Sequence, residues 1–237
     1  MQKKIKYILF IIILFESLNS SAQKHKKPQN LARYDHQKLH FGFTLGINNL
    51  NFNLQKNSST LNNDSLLTLY TKSQKGFNLG IVSNLRIGKY TDLRFIPTLI
   101  FGERHLNYLF TDSNNLSNEE VKKIESTLID FPIYIKYKSE RYNNFRTYIL
   151  AGIKYSLDIA SQDKIDDEGQ EIVKLKKNDL MGEIGFGIDF YLEYFKFSPQ
   201  IKLSHGIINL ISKDKTIYTN SINHLKTNGW MISFTFE

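Results

Sequence analysis

The sequence predicts an all-β protein, an antiparallel barrel of eight strands in a single domain. Apolar and polar residues alternate with a period of two in eight separate runs, which is typical of strands with one apolar face. The chain has 237 residues with 13 glycines, 13 tyrosines and 17 phenylalanines but only 4 prolines, a composition that favours strands over disorder. A single all-β barrel of this length is ordinary.

The predicted strands can be followed along the chain by their apolar positions. In the first run, Leu39, Phe41 and Phe43 alternate with His40 and Gly42, and the later runs have the same form. The apolar faces of the runs cover residues 39–47, 77–87, 93–101, 129–137, 145–157, 180–192, 195–203 and 230–236. Most of these runs have about the length that a tilted strand needs to cross a bilayer.

The connections between the predicted strands alternate between long and short. Long polar segments lie at residues 54–74, 109–126, 160–178 and 209–227. Short connections lie at Gly88–Asp92, Ser139–Asn144 and around Glu193. Long loops on one side, short turns on the other and an even number of strands are typical of bacterial outer-membrane barrels. We therefore expect a transmembrane barrel with short periplasmic turns and long extracellular loops.

The beginning of the sequence has the pattern of an export signal. Basic residues at 3–6 precede an apolar run, Tyr7–Phe15, that is too short to span a bilayer. Small residues at 20–22 offer a cleavage site, and Glu16 ends the apolar run, which argues against a single anchor helix. The predicted domains are a cleaved signal peptide at 1–22, a flexible basic periplasmic leader at 23–37 and an outer-membrane barrel domain at 38–237.

The composition excludes several kinds of protein. Without cysteine the chain cannot hold a disulfide scaffold, a thiolate zinc site, an iron–sulfur cluster or a cysteine nucleophile. The formal net charge of +8 would ordinarily indicate nucleic acid. In an exported protein, outer-membrane lipid and lipopolysaccharide are the expected anionic partners instead, with no nucleic acid and no small-molecule substrate.

A soluble barrel of the lipocalin type is the main alternative fold, because its strands also alternate, with the apolar face inward. Strand length, the export signal, the rhythm of the connections and aromatic residues near strand ends favour the membrane. These aromatic residues are Tyr90, Tyr108, Phe110, Tyr142, Tyr194 and Trp230.

The polar face of the strands predicts a filled lumen. An eight-stranded barrel is too narrow for an aqueous pore, and side chains occupy its interior. The predicted lumenal charge network consists of Arg86, Arg94, Asp130, Lys136, Arg146, Lys154, Glu183, Asp189, Lys196 and Lys202. The prolines at 97, 132 and 199 fall inside predicted strands, where we expect bulges or bends because a closed barrel has no free edge.

Catalytic chemistry has weak support in the sequence. Glu103 and His105 could share a face, but no serine or threonine alternates with them as a nucleophile. Ser204 and His205 are adjacent in a strand and so face opposite sides. The other histidines lack metal-ligand spacing, and Gly185–Gly187 is not a phosphate loop because no helix follows. We expect no enzyme activity, no cofactor and no metal site.

Short stretches distributed along the mature chain form a recognisable pattern. They are residues 41–46, 94–97, 101–104, 130–132, 136–139, 183–190 and 195–199. In these stretches, including the in-strand prolines, the sequence resembles the PorT family, outer-membrane barrels of Bacteroidetes required for type IX secretion. The resemblance implies a role in exporting proteins with C-terminal sorting signals, and in some members gliding motility. It also implies other type IX secretion subunits as partners, with no catalytic residue or cofactor.

Composition alone leaves a second hypothesis open. A generic small outer-membrane barrel could act as an adhesin, a lipopolysaccharide binder or a lipid-modifying enzyme.

Overall fold

The computed structural model describes residues 28–57, 66–111, 117–160, 173–212 and 217–237. Within these ranges, nine antiparallel strands form one sheet that closes into a ring, because β1 pairs with both β2 and β9. The strands are β1 (Leu39–Lys56), β2 (Leu66–Arg86), β3 (Thr91–Phe95), β4 (Thr98–Thr111), β5 (Ser117–Lys138), β6 (Phe145–Asp158), β7 (Asn178–Tyr191), β8 (Lys196–Gly206) and β9 (Ile222–Phe236). A 3-10 helix (Tyr34–His36) precedes β1, and one turn of α-helix (Ile217–Asn220) precedes β9.

The third and fourth strands are two parts of one barrel strand. Both pair with β5 in a single continuous register, Leu93 opposite Ile135 and Leu99 opposite Ile129. The nine elements therefore make eight barrel strands, and the predicted eight-stranded antiparallel barrel is confirmed. The predicted signal peptide lies outside the described residues. No helix among the described residues is long and apolar enough to cross a membrane.

The barrel has two distinct ends. Short turns join β2 to β3, β5 to β6 and β7 to β8 at one end, where β1 also begins and β9 ends; we call this the short-turn end. The other connections lie at the opposite end, the long-loop end. Polar strand residues near this end explain why the sequence analysis assigns residues 66–74 and 117–126 to loops, whereas they belong to β2 and β5.

Two of the three in-strand prolines interrupt the sheet. Pro97 separates β3 from β4, and the described pairing of β7 with β8 skips the two residues opposite Ser198 and Pro199. Pro132 pairs with Lys154 inside β5 without a break. The expected irregularity at Pro97 is thus a break between two strand segments, while the register shifts of the described strands lie elsewhere, at residues 55–56, 66–68 and 73–77.

The half of the barrel nearest the short-turn end has an apolar exterior and a polar interior. Phe41 is 65% exposed and Ile184 is 61% exposed, whereas the inward Arg94 is fully buried. A soluble barrel has the opposite arrangement. Along β6 the outward apolar residues run from Phe145 to Tyr155. At about 3.3 Å per residue and the usual tilt, this spacing matches the apolar band of about 25 Å on outer-membrane barrels.

The alternation reverses in the half nearest the long-loop end. On β1 the outward residue after Ile47 is Asn49, while Leu50 and Phe52 point inward and are buried. On β5 the exposed Lys123 is directed outward at the corresponding level. The strands therefore continue beyond the lipid as a barrel of soluble type, with an apolar interior.

An apolar cluster fills the lumen at the long-loop end. Its members are Phe52, Leu66, Leu69, Leu106, Tyr108, Val173, Leu175, Leu210, Ile211, Tyr218, Ile222 and Leu225. Residues from the β6–β7 and β8–β9 connections thus pack against residues of the strands. Tyr108 was expected at the membrane interface but points inward, where its ring packs edge-on against Tyr218 with a centroid distance of 4.9 Å. The reversed alternation at this height is the physical reason.

Candidate functional site

Buried ion pairs occupy the middle of the lumen. Lys154 Nζ lies 3.0 Å from Asp130 Oδ2 and 3.2 Å from Glu183 Oε2. Lys202 Nζ lies 3.3 Å from Glu183 Oε1, and Ser156 donates a hydrogen bond to Asp130. All of these side chains are buried. Lys154 therefore pairs with two carboxylates, and its charge offsets the cost of burying both of them away from bulk water.

A second group of buried charges lies nearer the short-turn end. Lys136 Nζ is 2.8 Å from Asp189 Oδ2 and 3.6 Å from the centroid of the Tyr148 ring. Ser198 donates to Asp189 Oδ1 at 2.6 Å. These side chains come from the four neighbouring strands β5, β6, β7 and β8, and they fill the lumen on this side of the barrel.

The 3-10 helix Tyr34–His36, which we call the latch, lies against the short-turn end of the lumen. The Tyr34 hydroxyl donates to Glu237 Oε2 at 2.7 Å and accepts from Lys196 Nζ at 2.8 Å. Its ring stacks on His40 with a centroid distance of 3.8 Å. Burial raises the pKa of the Tyr34 hydroxyl, so that it stays protonated and able to donate.

The expectation of a flexible leader up to residue 37 therefore needs correction for the segment that includes the latch. Asp35 forms an ion pair with Arg146 at 2.7 Å, and the Asn30 side chain donates to the backbone carbonyl of Tyr191. Buried charges at the mouth of the barrel need partners, and this segment supplies them. Residues 23–27 of the leader lie outside the described residues.

The predicted network residues are largely brought together. All except Arg86 are buried, whereas Arg86 is partly buried and donates from Nε to the Gly88 carbonyl at 3.2 Å. Two buried acids lie outside the predicted network: Asp92, which pairs with Lys138 at 2.6 Å, and Glu237, which pairs with Arg94. The alternation along the strands could have identified both acids, because Asp92 lies two residues before the inward Arg94 and Glu237 two residues after the inward Thr235. Asp92 falls in the predicted connection Gly88–Asp92, and Glu237 lies one residue after the last predicted apolar face, 230–236.

The weak catalytic candidates lie on the outside of the barrel or apart from one another. Glu103 Oε1 and His105 Nε2 are 2.5 Å apart on the outward face of β4. The residues opposite His105 are Lys72 and Lys123, so no hydroxyl nucleophile faces it across the sheet. Within the described ranges, no group of three potential ligands could hold a metal ion.

Planar-bilayer recordings provide a direct test of the filled lumen. We expect the purified protein to give no stable open-pore conductance, because buried ion pairs occupy the lumen and an apolar cluster fills its long-loop end. One of these pairs joins Arg94 of β3 to Glu237 after β9. A large-pore porin reconstituted under the same conditions provides the positive control. A steady large-pore current from the purified protein would contradict this interpretation of the interior.

An apolar outer band, a charged and closed interior, and short turns at one end define a small outer-membrane barrel protein. Residues 21–212 match the family described as outer membrane protein beta-barrel domain, and the chain belongs to this family. The protein is accordingly an outer-membrane protein. In bacterial barrels of this type the short turns face the periplasm, and we expect the same of the short-turn end here.

Solved structures of small outer-membrane proteins have a similar fold at low sequence identity. OprG from Pseudomonas aeruginosa is 13% identical, with a TM-score of 0.44 over 82% of this chain and 93% of that chain. Neisserial surface protein A is 12% identical, with a TM-score of 0.42 over 84% and 98% of the two chains. Ail of Yersinia pestis is 13% identical, with a TM-score of 0.38 over 84% and 99%. No curated protein matches the sequence.

Proposed function

We propose that this protein is a non-enzymatic component of type IX secretion that acts through surfaces offered to partner subunits. The observation that carries the proposal is the filled lumen, with ion pairs in the membrane, an apolar cluster outside it and the latch on the periplasmic side. A barrel of this width cannot pass folded cargo. Its contribution to export must then come from its surfaces. The resemblance to the PorT family supports the choice of secretion system.

Several parts of the protein are available for such contacts. Residues 23–27, the part of the leader before the segment with the latch, include Lys24, Lys26 and Lys27 and no apolar side chain, a composition that suits ordering on a partner. The short turns face the periplasm, and the apolar outer wall faces lipid or another membrane protein. Cleavage of a signal peptide at 1–22 and contact with lipopolysaccharide are further parts of the proposal.

Deletion of the gene tests the proposal. We expect cargo with C-terminal sorting signals to accumulate in the periplasm, while other outer-membrane proteins assemble normally; mass spectrometry of medium, periplasm and membrane fractions measures both. Complementation with Glu103→Gln, His105→Asn or His205→Asn should restore export, because the proposal gives these residues no catalytic role. Export of such cargo at wild-type levels in the deletion strain would remove the proposal.

A second candidate function rests on the outward face above the apolar band. Lys72, His105 and Lys123 lie side by side across β2, β4 and β5. His105 is held by Glu103, so the two lysines are the groups that suit the phosphates of lipopolysaccharide, a ligand that the generic barrel hypothesis includes. The same deletion strain separates the candidates, since normal cargo export combined with altered lipopolysaccharide binding or adhesion would favour this second function.

A further inference from the structure

An open pocket of about 250 Å³ lies at the short-turn end beside the latch. Its walls bring together four basic side chains from β2, the β2–β3 turn, the β5–β6 turn and β6. They are Arg86, Lys89, Arg141 and Arg146. The acids on the same walls are Asp35 and Glu140. The lining therefore has an excess of positive charge at a place that faces the periplasm.

The chain itself places a carboxylate in this pocket. Both oxygens of Asp35 lie 2.7 Å from Arg146 Nη2, and Asp35 Oδ2 lies 3.7 Å from Arg141 Nη1. Arginine binds carboxylates through a planar fork of donors, and such charge-assisted hydrogen bonds are among the strongest in proteins. Asp35 thus shows which chemical group fits against these arginines.

The basic groups have capacity that the described residues do not use. Arg146 is nine-tenths buried, and its Nε has no hydrogen-bond partner among them. Arg86 likewise forms no ion pair with any described carboxylate, because Glu140 is held by Lys89 at 3.3 Å and by the Tyr90 hydroxyl at 2.6 Å. The Tyr90 hydrogen bond, followed by Lys89, lowers the pKa of Glu140, which keeps it ionised and engaged.

The direction of approach favours a soluble partner over a lipid. Arg86 and Arg146 belong to the inward faces of β2 and β6, next to the inward Asn84 and Tyr148. A ligand reaches them through the mouth of the barrel. A phospholipid headgroup would have to come from the outer wall, where the neighbouring side chains, such as Leu85 and Phe145, are apolar.

We propose that this pocket is a docking site for an acidic segment of a periplasmic protein. An aspartate or glutamate side chain of the partner binds Arg86 and takes the place of Asp35 against Arg146, so that Asp35 competes with the partner from within the chain. The inference rests on the proposed function in one respect, namely that the barrel acts through periplasmic partners. It adds to that function the place of contact and the charge of the partner.

Peptide binding to the full-length protein in detergent tests the site. The probe is a fluorescein-labelled hexapeptide of alternating Asp and Glu, compared with the matching Asn and Gln peptide by fluorescence anisotropy. We expect binding of the acidic peptide only, weakened about tenfold by Arg86→Gln and tightened several-fold by Asp35→Asn. Lys38→Gln, which removes an exposed charge at the same end outside the pocket, serves as the matched control and should change the affinity less than twofold.

Two results would overturn the proposal. One is an equal loss of affinity in Arg86→Gln and Lys38→Gln, since it would mean that only the overall charge matters. The other is absence of peptide binding together with retention of phosphatidylglycerol that Arg86→Gln abolishes, which would make the pocket a headgroup site. Emission from the single tryptophan, Trp230, checks that each variant is folded. Failure of peptide binding would contradict the docking site, but the proposed function would be retained if the deletion strain still loses cargo export.

Discussion

Replacement of Lys154 by methionine should lower the free energy of unfolding by about 3–5 kcal/mol. Methionine keeps most of the side-chain volume but removes the charge that Asp130 and Glu183 share. Asp130 then keeps only the hydroxyl of Ser156 among its described side-chain partners, and Glu183 keeps Lys202. Two buried carboxylates would remain with too few cations.

Guanidinium unfolding of the protein in lipid vesicles, followed through Trp230 emission, measures this loss. The matched control is Lys123→Met, since Lys123 lies exposed on the outer face of β5 beyond the apolar band. We expect that variant to stay within about 0.5 kcal/mol of the wild type. Equal stabilities for the two variants would show that the lumenal charge at Lys154 is not needed.

The second large effect concerns the lipid-facing wall. Phe186 is 47% exposed and lies near the middle of the outward positions of β7, between Leu180 and Phe190. Phe186→Arg should cost about 2–4 kcal/mol, because the charge is forced towards the bilayer midplane. Tyr194→Arg introduces the same side chain in the β7–β8 turn, where Tyr194 is 88% exposed, and should cost about 0–1 kcal/mol.

The same vesicle-unfolding assay compares these two variants. A similar small cost for both would mean that Phe186 does not lie in hydrocarbon, and the apolar band would have to be placed elsewhere on the barrel.

The barrel itself could be predicted because each membrane strand repeats one simple rule. The outer face of each strand meets lipid and the inner face holds ion pairs. Every second residue is therefore apolar, as at Phe41, Phe43 and Leu45. Inward polar residues follow from the same parity, and this rule found most of the lumenal charges. The alternation of apolar and polar positions could not show which charges pair, because a shared lysine such as Lys154 depends on the register of three neighbouring strands.

The half of the barrel nearest the long-loop end was harder to predict for a physical reason. Where a strand leaves the lipid, its outer face becomes polar and its inner face apolar, so Asn49 and Asn51 on β1 resemble the start of a loop. Between Ile47 and Leu50 the apolar residues of β1 change from odd to even positions, and this change marks the point at which the strand leaves the lipid. Aromatic residues beyond such a reversal, as at Tyr108, belong to the interior.

The latch could not be predicted from the sequence because its residues lack any periodic pattern. Three residues of 3-10 helix with one tyrosine and one aspartate have no sequence signature, and their role depends on partners more than a hundred residues away. The position of Asp35 against Arg146 follows only from closure of the ring. Functional contacts of this kind are accessible from structure and not from local sequence.

The contact between Tyr34 and Glu237 also sets a constraint on the order of folding. The two residues are 203 positions apart, and Glu237 reaches the mouth only after β9 has paired with β1. Closing so long a loop early would cost chain entropy without compensation from the intervening strands. The contact therefore belongs to the last step of barrel assembly, and its formation distinguishes a completed ring from an open sheet of paired strands.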